Sequence, residues 1–226
     1  MSDELSRGDE TRNPAQILVI DDEPFILEYI GAILSSHNIV PILEYTFEKA
    51  LLQIRSKPVD LVITDLFMPG MGGIEGIKVL KDERFTIIQI PFNYLDNQWN
   101  NDEFKSLIQK RHDVEIHVRS IFLQGILVND FKHWPKIKEY DFEPIYDNIT
   151  NLCKKYNLSK LELVVGYIKS IKWIDSVLFG VDNIEQLKEN IALYKNTTEL
   201  NKTILNECTK LFSNIPKELV NPVLWN

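Results

Sequence analysis

Three aspartates that could bind a metal ion follow two short apolar runs. Asp21 and Asp22 come directly after Ile17–Ile20, and Asp65 comes directly after Leu61–Thr64. Carboxylates that converge on one pocket repel one another, and a divalent cation relieves that repulsion. Mg²⁺ favours hard oxygen ligands of this kind. We therefore expect a Mg²⁺ site formed by these aspartates.

The elements that must position these aspartates alternate between strands and helices. The two apolar runs are typical of parallel strands covered on both faces, and functional groups gather at the carboxyl ends of such strands. Between the two runs, we predict a helix over Pro24–Ser36, with proline in its first turn, and a strand over Val40–Leu43. A second helix is predicted over Thr46–Ser56, with Thr46 as its N-cap. After the second run, a third helix is predicted over Ile74–Lys81.

The second segment repeats this rhythm and adds three strands. We predict strands over Thr86–Ile90, Glu115–Val118 and Ser176–Phe179. Helices are predicted over Asp102–Arg111, Tyr146–Tyr156, Lys160–Ser170, Ile184–Leu193 and Thr198–Phe212. Strands that alternate with helices of this length imply parallel βαβ units with right-handed crossovers, about six in all.

Composition divides the chain near residue 83. Residues 1–83 hold 15 acids and 7 bases, whereas residues 84–226 hold 18 of each, so the first segment accounts for the whole net charge of −8. Asparagine and lysine rise at the same point, from 2 and 4 residues to 16 and 15. No linker rich in proline, glycine or serine marks this border, which falls inside a helix-to-strand passage.

The bulk properties exclude several classes of function. The acidic balance argues against nucleic acid as a partner, because phosphate binding needs clustered lysine and arginine. No apolar run approaches the length of a membrane span, and residues 1–15 predict a disordered tail rather than a targeting peptide. Cys153 and Cys208 have neither a metal-binding spacing nor the density of a disulfide scaffold. We therefore expect free thiols in a cytoplasmic protein.

The first segment resembles the receiver domain of two-component response regulators, through the motifs VIDDE and VITDLFMPGMGG. The resemblance implies that Asp65 is the phosphoacceptor, served by a sensor histidine kinase or a small phosphodonor. It also implies that Asp22, Asp65 and the backbone carbonyl of Phe67 coordinate Mg²⁺, with Asp21 assisting through water. An isolated aspartate at a strand end is more often a cap or a turn former, but the two motifs together favour the metal site.

The resemblance to receivers stops near Leu80. A receiver continues with a strand that ends in serine or threonine and another that ends in lysine-proline, and neither pattern follows here. Laid over those strands, the second segment has Pro91 where the hydroxyl belongs and Arg119 where the lysine belongs. Arg119 could stand in for the lysine by neutralising a phosphoryl group, whereas the missing hydroxyl is expected to weaken switching.

Residues from about Phe85 onward resemble the C-terminal part of an aldo/keto reductase, a (βα)8 barrel that uses NADPH. The stretches IIQIPFNYLD, VEIHVRSIFLQGIL and VLFGVDNIEQLKENI carry this resemblance. It implies a cofactor surface with Gln89 at the nicotinamide side, a pyrophosphate path and an adenosine end. The residues of the path are Ser120, Phe122, Leu123 and Gly125, and those of the adenosine end are Gly180, Val181, Gln186, Glu189 and Asn190. Gly180 and Gln186 stand where many members of the family have the lysine and arginine that bind the 2′-phosphate, so NADP(H) should not bind tightly.

The family's catalytic aspartate, tyrosine, lysine and histidine lie on the first four barrel strands, a region not found in this sequence. No proton donor poised by lysine and aspartate can be assembled from the remainder, so we expect no oxidoreductase activity. His112, His117 and His133 are interpreted as structural or surface residues. The QLKEN stretch has a plainer alternative as an amphipathic helix with a solvated face.

The predicted fold is α/β, with a flavodoxin-like receiver start continued by half of a (βα)8 barrel. After the tail, residues 16–83 form a truncated (βα)3 receiver fragment. Residues 84–226 form a (βα)3 reductase fragment with an extra C-terminal helix. A complete barrel usually needs about 250 residues, so we expect one open parallel sheet in the order 2-1-3-4-5-6. The alternatives are a barrel-like curl or a homo-oligomer, such as a dimer, paired through exposed sheet edges.

Three functions remain open at this point. The favoured one is an engineered chimera without a complete native activity, which retains Mg²⁺ binding and phosphoryl acceptance at Asp65. The second is a natural fusion that acts as a receiver-type phosphorelay module. The third is the residual NADP(H)-binding half of an oxidoreductase.

Overall fold

The computed structural model describes residues 15–64 and 86–225. The chain divides into two compact units, Met1–Val79 and Leu80–Asn226, close to the predicted junction. The predicted helix over Ile74–Lys81 lies outside the described residues.

The first unit contains a three-stranded parallel sheet in the order β2-β1-β3. Its described elements are β1 (Ile17–Ile20), α1 (Pro24–Ser36), β2 (Ile42–Glu44), α2 (Phe47–Ser56) and β3 (Leu61–Thr64). The central strand β1 is buried along its whole length. The register aligns Ile20 with Glu44 and with Thr64, so the three strands end at one edge.

The helices of the first unit cover an apolar core, as the periodicity predicts. Leu27 of α1 packs with Ile17 and Val19 of β1 in that core. At the start of α2, the hydroxyl of Thr46 accepts a hydrogen bond from the backbone N–H of Lys49 (3.4 Å), which confirms the predicted N-cap. Such a cap satisfies one of the N–H groups that a helix start leaves without an intrahelical partner.

The second unit contains a parallel sheet in the order β4-β5-β6. Its described elements are β4 (Ile87–Pro91), α3 (Asp102–Lys110), β5 (Glu115–Arg119), α4 (Glu143–Tyr156), α5 (Lys160–Ser170), β6 (Ser176–Val177), α6 (Ile184–Asn196), α7 (Lys202–Leu211) and α8 (Lys217–Val220), with 3-10 turns at Phe131–His133 and Pro222–Leu224. Helix α5 is buried over six consecutive residues. Its Tyr167 packs against the rings of Phe92 and Tyr94, with centroids 6.0 Å apart in both pairs.

Each unit has its own three-stranded parallel sheet among the described residues. The expectation of one continuous six-stranded sheet concerns the relation between the two units and stays a prediction. One predicted helix boundary is corrected. The last long helix begins at Lys202 rather than at Thr198, because the side chain of Asn201 caps it there.

Two simpler predictions concern membrane spans and cysteines. Within residues 15–64 and 86–225, no helix combines the length and apolar character needed to cross a membrane. Cys153 and Cys208 are free and buried, which confirms the prediction of unpaired thiols.

Candidate functional site

The first candidate site is the carboxyl edge of the β2-β1-β3 sheet. Beyond β1, the backbone N–H of Asp21 donates to the carbonyl of Glu44 (3.2 Å), which extends the pairing with β2. The Oδ1 of Asp21 accepts the N–H of Glu23 (2.9 Å), so a local turn fixes this side chain. Asp22 is exposed beside it. The edge therefore presents two adjacent carboxylates, whose hard oxygens suit Mg²⁺.

The rest of the predicted metal site lies beyond this described edge. Asp65 and Phe67 are outside the described residues. Thr64, which precedes Asp65 in the sequence, is paired with Ile20, which precedes Asp21. In the part of the chain that the structure describes, no group of three or more histidine, cysteine or acidic side chains could hold a metal ion. The predicted site therefore depends on the carboxylate of Asp65 as its third acidic group.

The second candidate site is the carboxyl edge of the β4-β5-β6 sheet, where a tight loop follows β5. Ser120, Leu123, Gln124 and Gly125 all have left-handed backbone, with φ of 58°, 46°, 51° and 87°. Glycine adopts this conformation readily and other residues rarely do. Backbone hydrogen bonds from Leu123 to Ser120 (3.0 Å) and from Gly125 to Phe122 (2.9 Å) hold the loop. The predicted pyrophosphate path is thus a curled, pre-formed backbone.

Asn93 ties this loop to the end of β4, a role that the sequence analysis missed. Its Oδ1 accepts the N–H groups of Leu95 and Asp96, at 2.9 Å each, and its Nδ2 donates to the carbonyl of Ser120 (3.2 Å). Asn93 is only 1% exposed. A polar residue three positions after the predicted strand Thr86–Ile90 was the available signal, because the carboxyl ends of parallel strands are where such groups meet.

Asp96 is a second buried polar residue at this edge that the sequence analysis did not identify. Burial raises the pKa of its carboxyl group to about 6. The Nε2 of Gln98 donates to its Oδ1 (3.1 Å), and this bond and the positive charge of Arg119 lower the pKa without cancelling the effect of burial. Arg119 is exposed at the end of β5 and donates from Nη1 to Ser120 Oγ (3.1 Å). Its role as a stand-in for the receiver lysine stays a prediction.

The predicted adenosine end lies between β6 and the start of α6. Phe179, just after β6, contacts Phe122 of the β5 loop with ring centroids 5.8 Å apart. This contact brings the predicted pyrophosphate and adenosine stretches together. Asn183 caps α6 by accepting the N–H of Gln186 (2.8 Å), and Gln186 Oε1 accepts the N–H of Asp182 (2.7 Å). The side chain of Gln186 therefore holds its own turn.

The remaining predicted cofactor residues line accessible surface. Gly180, Val181 and Glu189 are exposed, and Asn190 is half-buried on α6. A Cβ added to Gly180 would meet no atom within 4 Å. Gln89 is exposed on β4, two residues before that strand ends at Pro91. Their roles toward a cofactor stay predictions.

The three histidines considered from the sequence occupy different environments. His112 and His133 are exposed, the latter within a 3-10 turn. His117 is half-buried on β5, and its Nε2 lies 3.2 Å from Oε2 of Glu115. Among the described residues, none of them belongs to a group of three or more histidine, cysteine or acidic side chains that could hold a metal ion.

Two protein-family models match the chain in succession. The response regulator receiver domain matches residues 17–93, and the aldo/keto reductase family matches residues 72–212. The second match covers more than half of the chain, so the chain belongs to the aldo/keto reductase family. Together the matches show a receiver domain fused to an aldo/keto reductase domain, and they overlap over 72–93, the stretch that contains the predicted junction.

Curated relatives match the receiver part. The heme response regulator HssR of Staphylococcus saprophyticus is 35% identical over 66 residues, which cover 29% of this chain and 30% of that protein. The response regulator GtcR of Aneurinibacillus migulanus is 42% identical over 67 residues, which cover 30% of this chain and 28% of that protein. The chain thus spans less than a third of the length of these relatives.

A solved structure resembles most of the chain in fold. The apo form of the aldo-keto reductase AKR11C1 from Bacillus halodurans has a TM-score of 0.53 and 18% sequence identity. The likeness covers 92% of this chain and 65% of that one. At this identity it supports an α/β architecture with parallel sheets and carries no statement about activity.

Proposed function

We propose that the receiver-like segment binds Mg²⁺ and accepts a phosphoryl group on Asp65, and that the reductase-like unit does not catalyse oxidoreduction. The observation that supports this most directly is the register of β1 and β3. Because Ile20 pairs with Thr64, the chain leaves both strands at the same edge of the sheet. In the sequence, Asp21 directly follows Ile20 and Asp65 directly follows Thr64, so an aspartate comes after each of two paired strand ends.

The chemistry of the proposed step follows from this acidic edge. A carboxylate oxygen of Asp65 forms a bond to phosphorus while the bond from phosphorus to the donor's leaving group breaks, and the leaving group keeps the electron pair. A bound Mg²⁺ would neutralise charge on the phosphoryl oxygens. Asp22, exposed at the end of β1, would hold the ion directly, and Asp21 would orient its water. The donor would be a sensor histidine kinase or a small phosphodonor.

Beryllofluoride, which mimics a phosphoryl group on a carboxylate, tests this proposal without turnover. Fluorine NMR of the full chain with Mg²⁺ and beryllofluoride should show a bound signal that disappears on removal of Mg²⁺. Asp65→Asn should abolish that signal, because the amide is a much weaker oxygen ligand. Glu28→Gln, an exposed change on α1 of the same unit, should keep it. A bound signal of equal size in Asp65→Asn would contradict the proposal.

A second candidate function is weak nucleotide binding by the reductase-like unit. The contact of Phe122 with Phe179 and the curled loop after β5 support it, because they assemble two of the three predicted parts of a cofactor surface. We expect a dissociation constant on the order of millimolar. NADPH and NADH should bind alike, since Gly180 and Gln186 stand where many members of the family have the lysine and arginine that bind the 2′-phosphate. No response of NADPH fluorescence at millimolar concentration would refute this candidate.

The origin of the fusion bears on what activity to expect. The abrupt change in composition near residue 83, and the overlap of the two family matches over 72–93, support a join made at a helix and strand common to both folds. We therefore retain the inference of an engineered chimera without a complete native activity. Consumption of NADPH with carbonyl substrates would contradict it.

A further inference from the structure

One face of the β4-β5-β6 sheet is open to solvent at its central strand. Along β5, Ile116 and Val118 are fully buried, whereas Glu115 and Arg119 are exposed and His117 is half-buried. Successive side chains on a strand point to opposite faces, so the three polar side chains share one face. Parallel sheets are normally covered on both faces. An accessible polar row on the middle strand therefore calls for a physical reason.

The flanking strands extend this surface. In the register of the sheet, Gln89 and Ser176 lie on either side of His117, and Ile87 lies beside Glu115. Ile87 is 58% exposed, and Leu178, just beyond β6, is 38% exposed. We call this surface the β5 face; it consists of Ile87, Gln89, Glu115, His117, Arg119, Ser176 and Leu178. It has a charged row on its central strand and apolar side chains at its margins, and charged groups of this kind set the orientation and specificity of an interface.

We propose that the β5 face binds a second copy of this chain through a two-fold axis at His117. The row runs from negative Glu115 through His117 to positive Arg119, so it is complementary to itself when reversed. A two-fold interface requires one patch to contact the same patch. Reversal places Glu115 of each copy opposite Arg119 of the other. The two residues lie about 13 Å apart along the strand, so the two ion pairs form without crowding each other.

The charges of the β5 face fit other occupants less well. It carries one arginine and one glutamate, so an anionic polymer would find no positive patch. A purely apolar segment would bury both charges without offering either an opposite charge, which is costly. A second copy gives each charge an opposite one. Stacked sheets are about 10 Å apart, which leaves room for the long side chains of Glu115 and Arg119 between them.

Sedimentation equilibrium of the full chain tests this proposal with charge reversals. The wild-type chain should form a dimer that high salt weakens. Glu115→Arg and Arg119→Glu should each raise the dimer dissociation constant by at least about tenfold, because each turns two attractive pairs into two repulsive ones. An equimolar mixture of these two variants should form a heterodimer. The double reversal should regain the homodimer, since the reversed row is again self-complementary.

Matched controls separate the β5 face from general effects of charge. Glu103→Arg on α3 and Lys154→Glu on α4 change exposed residues on helices and should leave the dimer constant unchanged. Circular dichroism melts would verify that each variant is folded. A wild-type chain that stays monomeric at every concentration overturns the proposal. A dimer whose dissociation constant neither charge reversal changes also overturns the proposal. The same holds if the mixture of Glu115→Arg and Arg119→Glu fails to associate. The test needs neither Mg²⁺ nor nucleotide, so its outcome is independent of the proposed function.

Discussion

Replacing Asp96 by asparagine should stabilise the second unit at neutral pH and not at acid pH. Asp96 is only 5% exposed, and burial raises the pKa of its carboxyl group from 3.8 to about 6. The variant keeps an oxygen that can accept from Gln98 Nε2, so the main change is the loss of a carboxylate that burial disfavours. The perturbation therefore isolates the free energy of ionising one buried group.

The direction of the effect of Asp96→Asn follows from proton linkage. As the pH rises above about 4, Asp96 ionises in the unfolded chain but stays protonated in the folded chain. The free energy of unfolding therefore falls until the folded pKa of about 6 is passed, and it stays lower at higher pH. One pKa unit is worth about 1.4 kcal/mol, so the rise from 3.8 to about 6 amounts to about 3 kcal/mol. Asp96→Asn should recover this amount above pH 7.

Urea unfolding followed by tryptophan fluorescence measures this effect in the unit that holds all four tryptophans of the chain. The difference in free energy of unfolding between Asp96→Asn and wild type should grow by about 2 kcal/mol from pH 4 to pH 7.5, because at pH 4 about half of the unfolded carboxyl groups are already ionised. Asp147→Asn, an exposed change on α4, controls for the loss of a negative charge. A difference that does not depend on pH, or one that favours the wild type as pH rises, would refute the reasoning.

Two further predictions concern packing and strand pairing in the same unit. Gly166→Ala should destabilise it by about 1–2 kcal/mol in urea unfolding, because a Cβ there would lie 2.9 Å from Leu200 Cδ2 and the clash exceeds the gain in helix propensity. Gly180→Ala, whose Cβ would meet no atom within 4 Å, is the matched control, and equal losses in both would contradict the account. Asp175→Ala should cost about 1–2 kcal/mol, because Asp175 Oδ2 accepts the N–H of buried Ile116 (2.7 Å). Asp175→Asn should lose less, and an alanine variant as stable as wild type would show that water replaces this bond.

Helix positions were the most predictable part of the fold, because their caps and periodicity are local. The sequence places α1 at Pro24–Ser36 and α5 at Lys160–Ser170, and the structure has the same bounds. Proline begins the first, and a capping box at Ser159 begins the second. Strand bounds were less predictable, because pairing with a neighbouring strand decides where a strand ends. The predicted strand Ser176–Phe179 extends only over Ser176–Val177 in the structure.

The candidate sites were predictable only in part, for a similar reason. Residue type and position at a strand end were enough to place Asp21 and Asp22 at the carboxyl edge of their sheet. They were not enough to show that Asn93 and Asp96 are buried, because burial depends on parts of the chain distant in sequence, such as Ser120, to which Asn93 donates. They also did not show that Gln186 is engaged by its own turn. Spacing locates a site, whereas packing decides which of its side chains are available.

Phosphoryl acceptance by Asp65 is the central claim, and intact-protein mass spectrometry after incubation with acetyl phosphate tests it most directly. The wild-type chain should gain the mass of one phosphoryl group only when Mg²⁺ is present. The gain should be lost in strong hydroxylamine, which cleaves acyl phosphates. Asp65→Asn should gain nothing under the same conditions. A wild-type chain that takes up no phosphoryl group with Mg²⁺, or an Asp65→Asn variant that takes up as much as wild type, would contradict the account.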